Sequence, residues 1–305
     1  MPTILLSWSK TMITILPEFY DDFYCLADGC HHSCCKGWEI DIDPDTAELY
    51  QSLPDPLGEQ LRSNIITSPE GDSFRLTADE RCPFLRQDSL CQLILDAGED
   101  ILCDICTNHP RFFVMAGDIE LGGAGLSCEK SVELLLSADT PLTFFRDDDG
   151  TVLTFTQVLQ LIGIIIPPNK LSFIPDISIP VNRSILDRLA ETEAINEQWT
   201  SDLSSLRDEL PLSADRLKKY AGEYDPRLFN RLYQYILYRQ LCYADDFGID
   251  RLTDYACLSA QYIFCAAALR GDLPEQIRRW SEQIEYCPEN VELLLTETVS
   301  SSCHL

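Results

Sequence analysis

Cysteine is the residue whose spacing in this chain most clearly implies chemistry. Nine cysteines lie in the first half of the sequence: Cys25, Cys30, Cys34, Cys35, Cys82, Cys91, Cys103, Cys106 and Cys128. Four of them fall between residues 25 and 35, and adjacent cysteines cannot share one face of a helix or strand, so packing does not explain this density. A chelating loop can use such thiols, and the Cys-x2-Cys pair ending at Cys106 lets two sulfurs reach one metal ion. The pattern predicts a metal or cluster site, which Cys82, Cys91 and Cys128 could complete after folding.

The donor type narrows the choice of metal. Thiolates are soft ligands that favour zinc, copper(I) or iron–sulfur clusters over magnesium or calcium. Structural zinc usually uses two Cys-x2-Cys knuckles, and this chain has one, which favours a cluster modestly and leaves zinc open. A radical S-adenosylmethionine loop would need Cys-x3-Cys-x2-Cys, and Gly37 stands where its third thiol would be. Disulfides are a further alternative, but disulfide scaffolds are typical of small secreted domains and this chain is long.

Other side chains near the cysteines could take part. His31 and His32 lie inside the cysteine loop, although two adjacent exposed histidines are more often incidental. Arg111 follows Cys106 closely and could hold an anionic carboxylate, or the negative charge of a cluster, by bidentate hydrogen bonds. The alternative is an arginine that pairs with a structural carboxylate. We predict Arg111 as a cofactor-binding residue and name no catalytic residue.

The later cysteines have a different context. They are Cys242, Cys257, Cys265, Cys287 and Cys303, of which the first three lie in apolar helical sequence. Because a free cysteine commonly behaves as a small buried hydrophobe, we predict ordinary packing or surface positions for all five.

The charge of the chain limits its partners. It carries 50 acidic against 23 basic side chains, a net charge of −27, which repels nucleic acid and anionic membranes. A lysine-bearing protein surface fits this sign, although acidity can also serve solubility alone. The apolar start from Ile4 to Trp8 is too short for an export signal, and no run approaches a membrane span. These features predict a cytoplasmic protein.

Hydrophobic periodicity predicts the elements that carry these residues. Short strands are expected at residues 38–42 and 74–76, a helix at 44–53, a loop or hairpin that brings Cys82 near Cys91, and a hairpin from residues 112–115 to 119–121. Residues 134–136 are expected to lie in one amphipathic helix, longer helices are expected near residues 183–209, 226–245, 250–270 and 274–298, and a Pro-rich linker or strap is expected at 164–180. The predicted fold class is mainly α with a small β component, in which a cysteine-rich metal domain precedes an all-helical domain. The predicted divisions are an N-terminal extension at 1–16, the cysteine-rich domain at 17–135, a connecting segment at 136–180 and the helical domain at 181–305.

Several of these residues also form a recognisable set of motifs. They are Phe23-Tyr24-Cys25, Cys30, Cys34-Cys35-Lys36-Gly37-Trp38, Cys82-Pro83-Phe84-Leu85, Leu90-Cys91 and Cys106-Thr-Asn-His-Pro-Arg111-Phe112. Their order resembles the flagellin lysine-N-methylase family, itself similar to a broader group of small zinc- or iron-chelating proteins. The match covers roughly residues 17–135, and Cys-Cys-Lys-Gly-Trp followed by Cys-Pro-Phe-Leu is its most specific part.

The resemblance implies methyl transfer to the side-chain nitrogen of flagellin lysines, with S-adenosylmethionine as donor and a cysteine-bound iron–sulfur cluster of the 4Fe-4S type. It implies as ligands the positions that match the motifs: Cys25, Cys30, Cys34, Cys35, Cys82, Cys91, Cys106 and Cys128. These exceed the four ligands of one cluster, so some must be supporting residues, structural residues or part of a second site. Gly122–Gly125 is only a weak match to a nucleotide-binding loop, and a glycine turn is the preferred interpretation. The rival hypothesis is a zinc- or iron-chelating or redox-sensing protein without methyl-transfer activity.

Overall fold

The protein is mainly α-helical with some β-structure. The structure, a computed structural model, describes residues 12–69 and 71–296. Within this part, the strands are β1 (Ile13–Pro17), β2 (Asp41–Ile42), β3 (Ile65–Ser68), β4 (Gly71–Phe74), β5 (Arg111–Ala116), β6 (Ile119–Ala124), β7 (Thr143–Arg146) and β8 (Val152–Thr154). The helices are α1 (Pro44–Ser52), α2 (Leu57–Ser63), α3 (Gln92–Ala97), α4 (Asp104–Asn108), α5 (Glu129–Ser137), α6 (Phe155–Leu161), α7 (Ile179–Leu189), α8 (Glu197–Glu209), α9 (Ala214–Glu223), α10 (Pro226–Arg239), α11 (Ala244–Phe247), α12 (Ile249–Arg270), α13 (Leu273–Ile284) and α14 (Pro288–Thr296).

A five-stranded sheet is formed by strands that lie between residues 13 and 154. Its strand order is β5-β6-β1-β7-β8, so the first strand of the chain lies at the centre. β1 runs parallel to β6, with Ile13 opposite Ile119, and antiparallel to β7, with Ile15 opposite Arg146. The predicted hairpin is confirmed as β5–β6, and Gly117 at its turn has a φ of +61°, which glycine adopts without strain.

The glycines at residues 122–125 correct the sequence analysis. Gly122 and Gly123 belong to β6, so this segment is a strand rather than a glycine turn. A β-carbon on Gly122 would overlap the side chains of Leu16 and Phe113, and one on Gly123 would overlap Phe112 and Tyr235. Glycine is required here because aromatic side chains pack directly on the backbone.

A second sheet lies in the cysteine-rich part, with strand order β2-β4-β3. The predicted strand at 38–42 is shorter than expected, and the one predicted at 74–76 ends at Phe74 instead of beginning there. The helix predicted at 44–53 is confirmed as α1: Asp43 caps it by accepting a hydrogen bond from the Thr46 amide at 2.9 Å. Local capping signals therefore identified the helix better than alternation identified the strands.

The helical part departs from the predicted spans where turns interrupt them. The span predicted at 183–209 divides into α7 and α8, and the span at 274–298 divides into α13 and α14. Helix α12 is apolar around most of its circumference because other helices surround it. The expectation that no segment approaches a membrane span is corrected here, since helix Ile249–Arg270 has the length and composition to cross one. Of the 18-residue stretch of this helix that is apolar enough, 89% is buried inside the protein.

Residues 162–178 form a strap over α10 and α12. The amide of Phe173 donates to the Asn230 side chain at 2.8 Å, and that of Asp176 donates to the Gln261 side chain at 2.8 Å. Gln261 in turn donates to the Asp176 carbonyl at 2.8 Å, and Phe173 itself is buried. The Pro-rich segment is therefore a strap held against the helices, which was one of the two predicted alternatives.

Two hydrophobic clusters organise the interior. The larger cluster combines the five-stranded sheet with the C-terminal helices, and the smaller one holds residues between 40 and 103. Residues 13–16, which the predicted N-terminal extension includes, form most of β1, whereas residues 1–11 lie outside the described part. The division at residues 136–180 stays a prediction.

Candidate metal-binding thiols

Five cysteines gather around the smaller hydrophobic cluster, and we call them the inner thiols: Cys35, Cys82, Cys91, Cys103 and Cys106. Cys82 and Cys103 are buried, and the other three are half-buried. Three aromatic rings pack in the same cluster, with the centroid of Phe74 5.1 Å from that of Phe84 and 6.1 Å from that of Tyr50. Burial raises the pKa of Cys82 to about 12. A buried thiol of this kind ionises at neutral pH only when a cation or metal stabilises the thiolate.

Two backbone contacts bring distant inner thiols together. The amide of Cys82 donates to the Cys35 carbonyl at 2.8 Å. Leu85 and Cys91 form an isolated antiparallel β-bridge, which closes the turn that begins at Cys82. The predicted loop or hairpin is therefore present, and it carries Cys82 and Cys91 into one cluster.

The Cys-x2-Cys pair lies at the start of α4. The sulfurs of Cys103 and Cys106 are 3.5 Å apart. Asp43 fixes this helix start, because its carboxylate accepts from the Asp104 amide at 2.9 Å while also capping α1. The hydrogen bond between the two thiols lowers the pKa of Cys103 and raises that of Cys106. Cys103 was not among the predicted ligands, although its spacing from Cys106 was the available signal.

The remaining four cysteines of the first half form a second group, and we call them the outer thiols: Cys25, Cys30, Cys34 and Cys128. Their loop rests on the N-terminal end of α5, which Cys128 directly precedes. The His32 ring contacts the Glu129 carboxylate at 2.5 Å, and the Lys130 ammonium lies 4.4 Å from the centroid of the Tyr24 ring. Thiolates are stabilised at this end of a helix, where the first amides have no partner within the helix.

Glu129 engages both histidines of the loop. The His31 amide donates to Glu129 at 3.2 Å, and the rings of His31 and His32 contact its carboxylate at 3.3 and 2.5 Å. Partial burial opposes ionisation of Glu129, but the hydrogen bonds from His32 and His31 hold its pKa below the usual range. The histidines therefore fasten the loop to α5, and the thiols remain as its soft donors.

Cys34 and Cys35 face different groups although they are adjacent in sequence. Cys34 is exposed, beside Cys25 and Cys128, whereas Cys35 is half-buried and packs on the inner cluster. The hydrogen bond between the two thiols raises the pKa of Cys34 and lowers that of Cys35 to about 7. The inner and outer groups therefore meet at this pair.

The side chains as they stand do not form a closed metal cage. Within residues 12–69 and 71–296, no three His, Cys, Asp or Glu side chains converge on one point that could hold a metal ion. The chemistry of the donors nevertheless fits a thiolate-bound group, because each set supplies four or more sulfurs. Metal binding by the predicted ligands stays a prediction.

Arg111 is held by aromatic rings rather than by a carboxylate. Its guanidinium carbon lies 5.0 Å from the centroid of Phe23 and 5.8 Å from that of Tyr20. No carboxylate in the described part of the chain forms an ion pair with Arg111. Arg111 is a half-buried cation that packs on Phe23, and Phe23 precedes Cys25 by two residues. Such a cation is suited to an anionic ligand. Its predicted role in cofactor binding stays a prediction.

A buried ion pair that no motif indicated lies where the cysteine-rich part meets the helices. Arg239 contacts Glu285 at 3.3 Å and stacks on Phe112 at 4.8 Å and on Tyr286 at 4.9 Å, measured to the ring centroids. Burial raises the pKa of Glu285 despite the opposing effects of Arg239 and Ser281. The only sign of this ion pair in the sequence was that a charged residue, Arg239, ends the apolar stretch of α10.

Two motif residues pack against the same tyrosine. The Tyr286 ring centroid is 5.5 Å from Trp38 and 6.1 Å from His109. Burial, and then the charge of Arg239, lowers the pKa of His109 to about 4, so its imidazole is neutral at pH 7. Motif residues other than cysteine therefore anchor the cysteine-rich part to the helical core.

The two later cysteines that lie in α12 are packing residues, as predicted. Cys257 and Cys265 are buried there, and Cys242 and Cys287 are half-buried. Cys303 lies outside the described residues.

Comparison with known proteins finds distant relatives. The chain is 30% identical over 157 residues to the lysine-N-methylases of Salmonella choleraesuis and Salmonella typhimurium, a match that covers 50% of this chain and 37% of each relative. It is 32% identical over 108 residues to the flagellar biosynthetic protein FliU of Salmonella muenchen, covering 33% of this chain and 64% of the relative. The chain therefore spans about two fifths of the length of the lysine-N-methylases that it matches. No family model and no solved structure matches it. These similarities support a distant family relationship with lysine-N-methylases.

Proposed function

We propose that this chain is a cytoplasmic protein-lysine N-methyltransferase that acts on flagellin, with S-adenosylmethionine as donor and an iron–sulfur cluster of the 4Fe-4S type on its cysteines. The observation that carries the proposal is the similarity to curated lysine-N-methylases over 157 residues. The similarity to a flagellar biosynthetic protein supports a flagellar substrate. The gathering of nine thiols into two neighbouring sets supports a thiolate-bound centre, for which zinc is the alternative metal.

The reaction requires a neutral lysine amine. A lysine has a pKa of roughly 10.4 and must lose a proton before its nitrogen attacks the methyl carbon of the sulfonium. The new N–C bond forms as the S–CH3 bond breaks, which yields methyl-lysine, S-adenosylhomocysteine and a released proton. The net charge of −27 draws lysine-rich surfaces toward this chain.

Two features of the chain have roles in this scheme. Arg111, held by Phe23 and Tyr20, binds a carboxylate such as that of the donor. The thiols would hold the cluster, which when bound would supply a fixed, redox-active centre.

A methyl-transfer assay tests the proposal. Full-length protein, purified without oxygen, is incubated with methyl-labelled S-adenosylmethionine and flagellin, and the mass of flagellin peptides is measured. We expect mass increases of one or more methyl groups on lysine-containing peptides. Arg111→Gln should weaken donor binding, whereas Arg227→Gln, at an exposed ion pair with Asp225, should not. Metal-loaded protein that methylates no lysine would contradict the proposal and favour a metal carrier or redox sensor.

A further inference from the structure

We propose that the cysteines build two separate thiolate sites, an inner and an outer one, and that the boundary between them passes between Cys34 and Cys35. Each site takes a soft metal centre, either a zinc ion or an iron–sulfur cluster. The inference rests on the metal-binding part of the proposed function and does not depend on methyl transfer.

The inner site is defined by packing within one hydrophobic cluster. All five inner thiols contact it, and the aromatic rings of Phe74 and Phe84 pack in the same cluster. The Cys82 amide is bonded to the Cys35 carbonyl, and the sulfurs of Cys103 and Cys106 are already 3.5 Å apart. Sulfurs bound to one tetrahedral zinc ion lie about 3.8 Å from each other, as follows from Zn–S bonds of about 2.3 Å. This pair therefore has nearly the separation of two ligands of one metal.

The outer site is defined by a different element, the start of α5. A helix of nine residues begins directly after Cys128, whose side chain does not cap it. Glu129 and Lys130 in its first turn hold the loop through His32 and Tyr24, so the cysteine loop is fastened to the start of this helix. Within the loop, the Ala27 amide donates to the Cys25 sulfur at 3.4 Å and the Cys30 thiol donates to the His32 carbonyl at 3.0 Å.

A single site cannot use both groups. One metal ion takes four thiolates, and a 4Fe-4S cluster likewise takes four cysteines, whereas nine thiols are gathered here. Cys34 and Cys35 lie in a turn, where Cys34 is exposed beside Cys25 and Cys128 while Cys35 packs on the inner cluster. The adjacent residues Cys34 and Cys35 thus allow one segment of the chain to bind two metal centres.

Metal stoichiometry of matched variants tests the inference. The full chain is loaded with zinc alone in one arm and with iron(II) and sulfide without oxygen in the other, and bound metal and sulfide are measured per chain. The outer variant combines Cys25→Ser with Cys34→Ser, the inner variant combines Cys35→Ser with Cys91→Ser, and the control is Cys257→Ser. Circular dichroism reports whether each variant is folded.

We expect the outer variant to bind half the metal of the wild-type chain in at least one arm, while the control binds as much as wild type. The inner variant should lose the other half, and the combined variant should lose all of it. Because the outer cysteines are at the surface, the outer variant remains decisive if the inner one unfolds. An outer variant that keeps all its metal, or loses all of it, would overturn the proposal. Methylation is scored separately, so its absence in a chain with two metal centres refutes the proposed function alone.

Discussion

Replacement of Gly125 by alanine tests whether the packing of Arg239 against Phe112 and Tyr286 joins the cysteine-rich part to the helices. A β-carbon at this position would overlap the hydroxyl oxygen of Tyr286 and lie 3.0 Å from both Arg239 Nη1 and Tyr286 Cζ. The tyrosine and the guanidinium must move together, since the two groups stack on each other at 4.9 Å. Movement of Tyr286 would disturb its ring contacts with Trp38 and His109.

The expected cost follows from these contacts. Adding a methyl group to a packed interior typically costs about 1–3 kcal/mol. An aromatic pair contributes roughly 0.5–1.5 kcal/mol beyond its buried area, and the displaced ring makes two such contacts. We therefore expect Gly125→Ala to lower the free energy of unfolding by about 2–6 kcal/mol.

Urea unfolding followed by circular dichroism measures this change. Gly222→Ala is the matched control, because Gly222 lies in α9 with no atom near its missing β-carbon, and alanine there should stabilise the helix by at most about 1 kcal/mol. In a Tyr286→Phe background the overlapping oxygen is gone, so Gly125→Ala should cost about 1 kcal/mol less. Equal stability of the Gly125→Ala and wild-type proteins, or the same cost in both backgrounds, would refute the reasoning.

Arg231→Met should lower the free energy of unfolding by about 3 kcal/mol in the same assay, since the fully buried guanidinium bonds to Glu18 at 2.7 Å and to the Leu135 carbonyl at 2.9 Å. A loss below about 1 kcal/mol would show that water replaces these bonds. The pKa of His109 is lowered to about 4 in the folded chain. Below about pH 6.5 the unfolded chain therefore binds a proton at this residue that the folded chain does not bind. The free energy of unfolding should fall by up to about 3 kcal/mol from pH 6.5 to pH 4. His109→Gln in metal-free protein should flatten that interval, and an unchanged pH profile would exclude a neutral buried imidazole. Raising salt to physiological strength, where the screening length is about 8 Å, should increase the apparent KM for flagellin and change kcat little; a KM insensitive to salt would leave the acidic charge a role in solubility only.

Local signals in the sequence were sufficient for several elements near the site. Asp43-Pro44 predicted the start of α1, because an N-cap carboxylate and a first-turn proline act within one turn of the chain. Gly117 between two apolar runs predicted the β5–β6 hairpin for the same reason. The close spacing of the cysteines at residues 25–35 and 103–106 could also be read from the sequence, since such spacing is itself local.

Interactions between distant residues were beyond the reach of such signals. Nothing near Arg239 in sequence indicates that Glu285, or the aromatic residues of the motifs, would surround it. The division of the cysteines depends on which side of the chain each neighbour packs, and Cys34 and Cys35 differ only after folding places them between α5 and the inner cluster. The place of β1 at the centre of the sheet likewise depends on partners more than a hundred residues away.

That central strand makes the cysteine-rich part an excursion between two strands of one sheet. The chain leaves the sheet after Pro17 and returns at Arg111, and β1 pairs with β6 only when both ends of this excursion meet. The entropy cost of closing a free segment grows with the logarithm of its length, so shortening the mobile part from roughly 100 to about 20 residues lowers the cost by about 1.4 kcal/mol. Any group that binds the thiols and compacts the excursion therefore also favours closure of the sheet. Removal of that group should therefore lower the free energy of unfolding of the helices that pack on that sheet, far from any cysteine ligand.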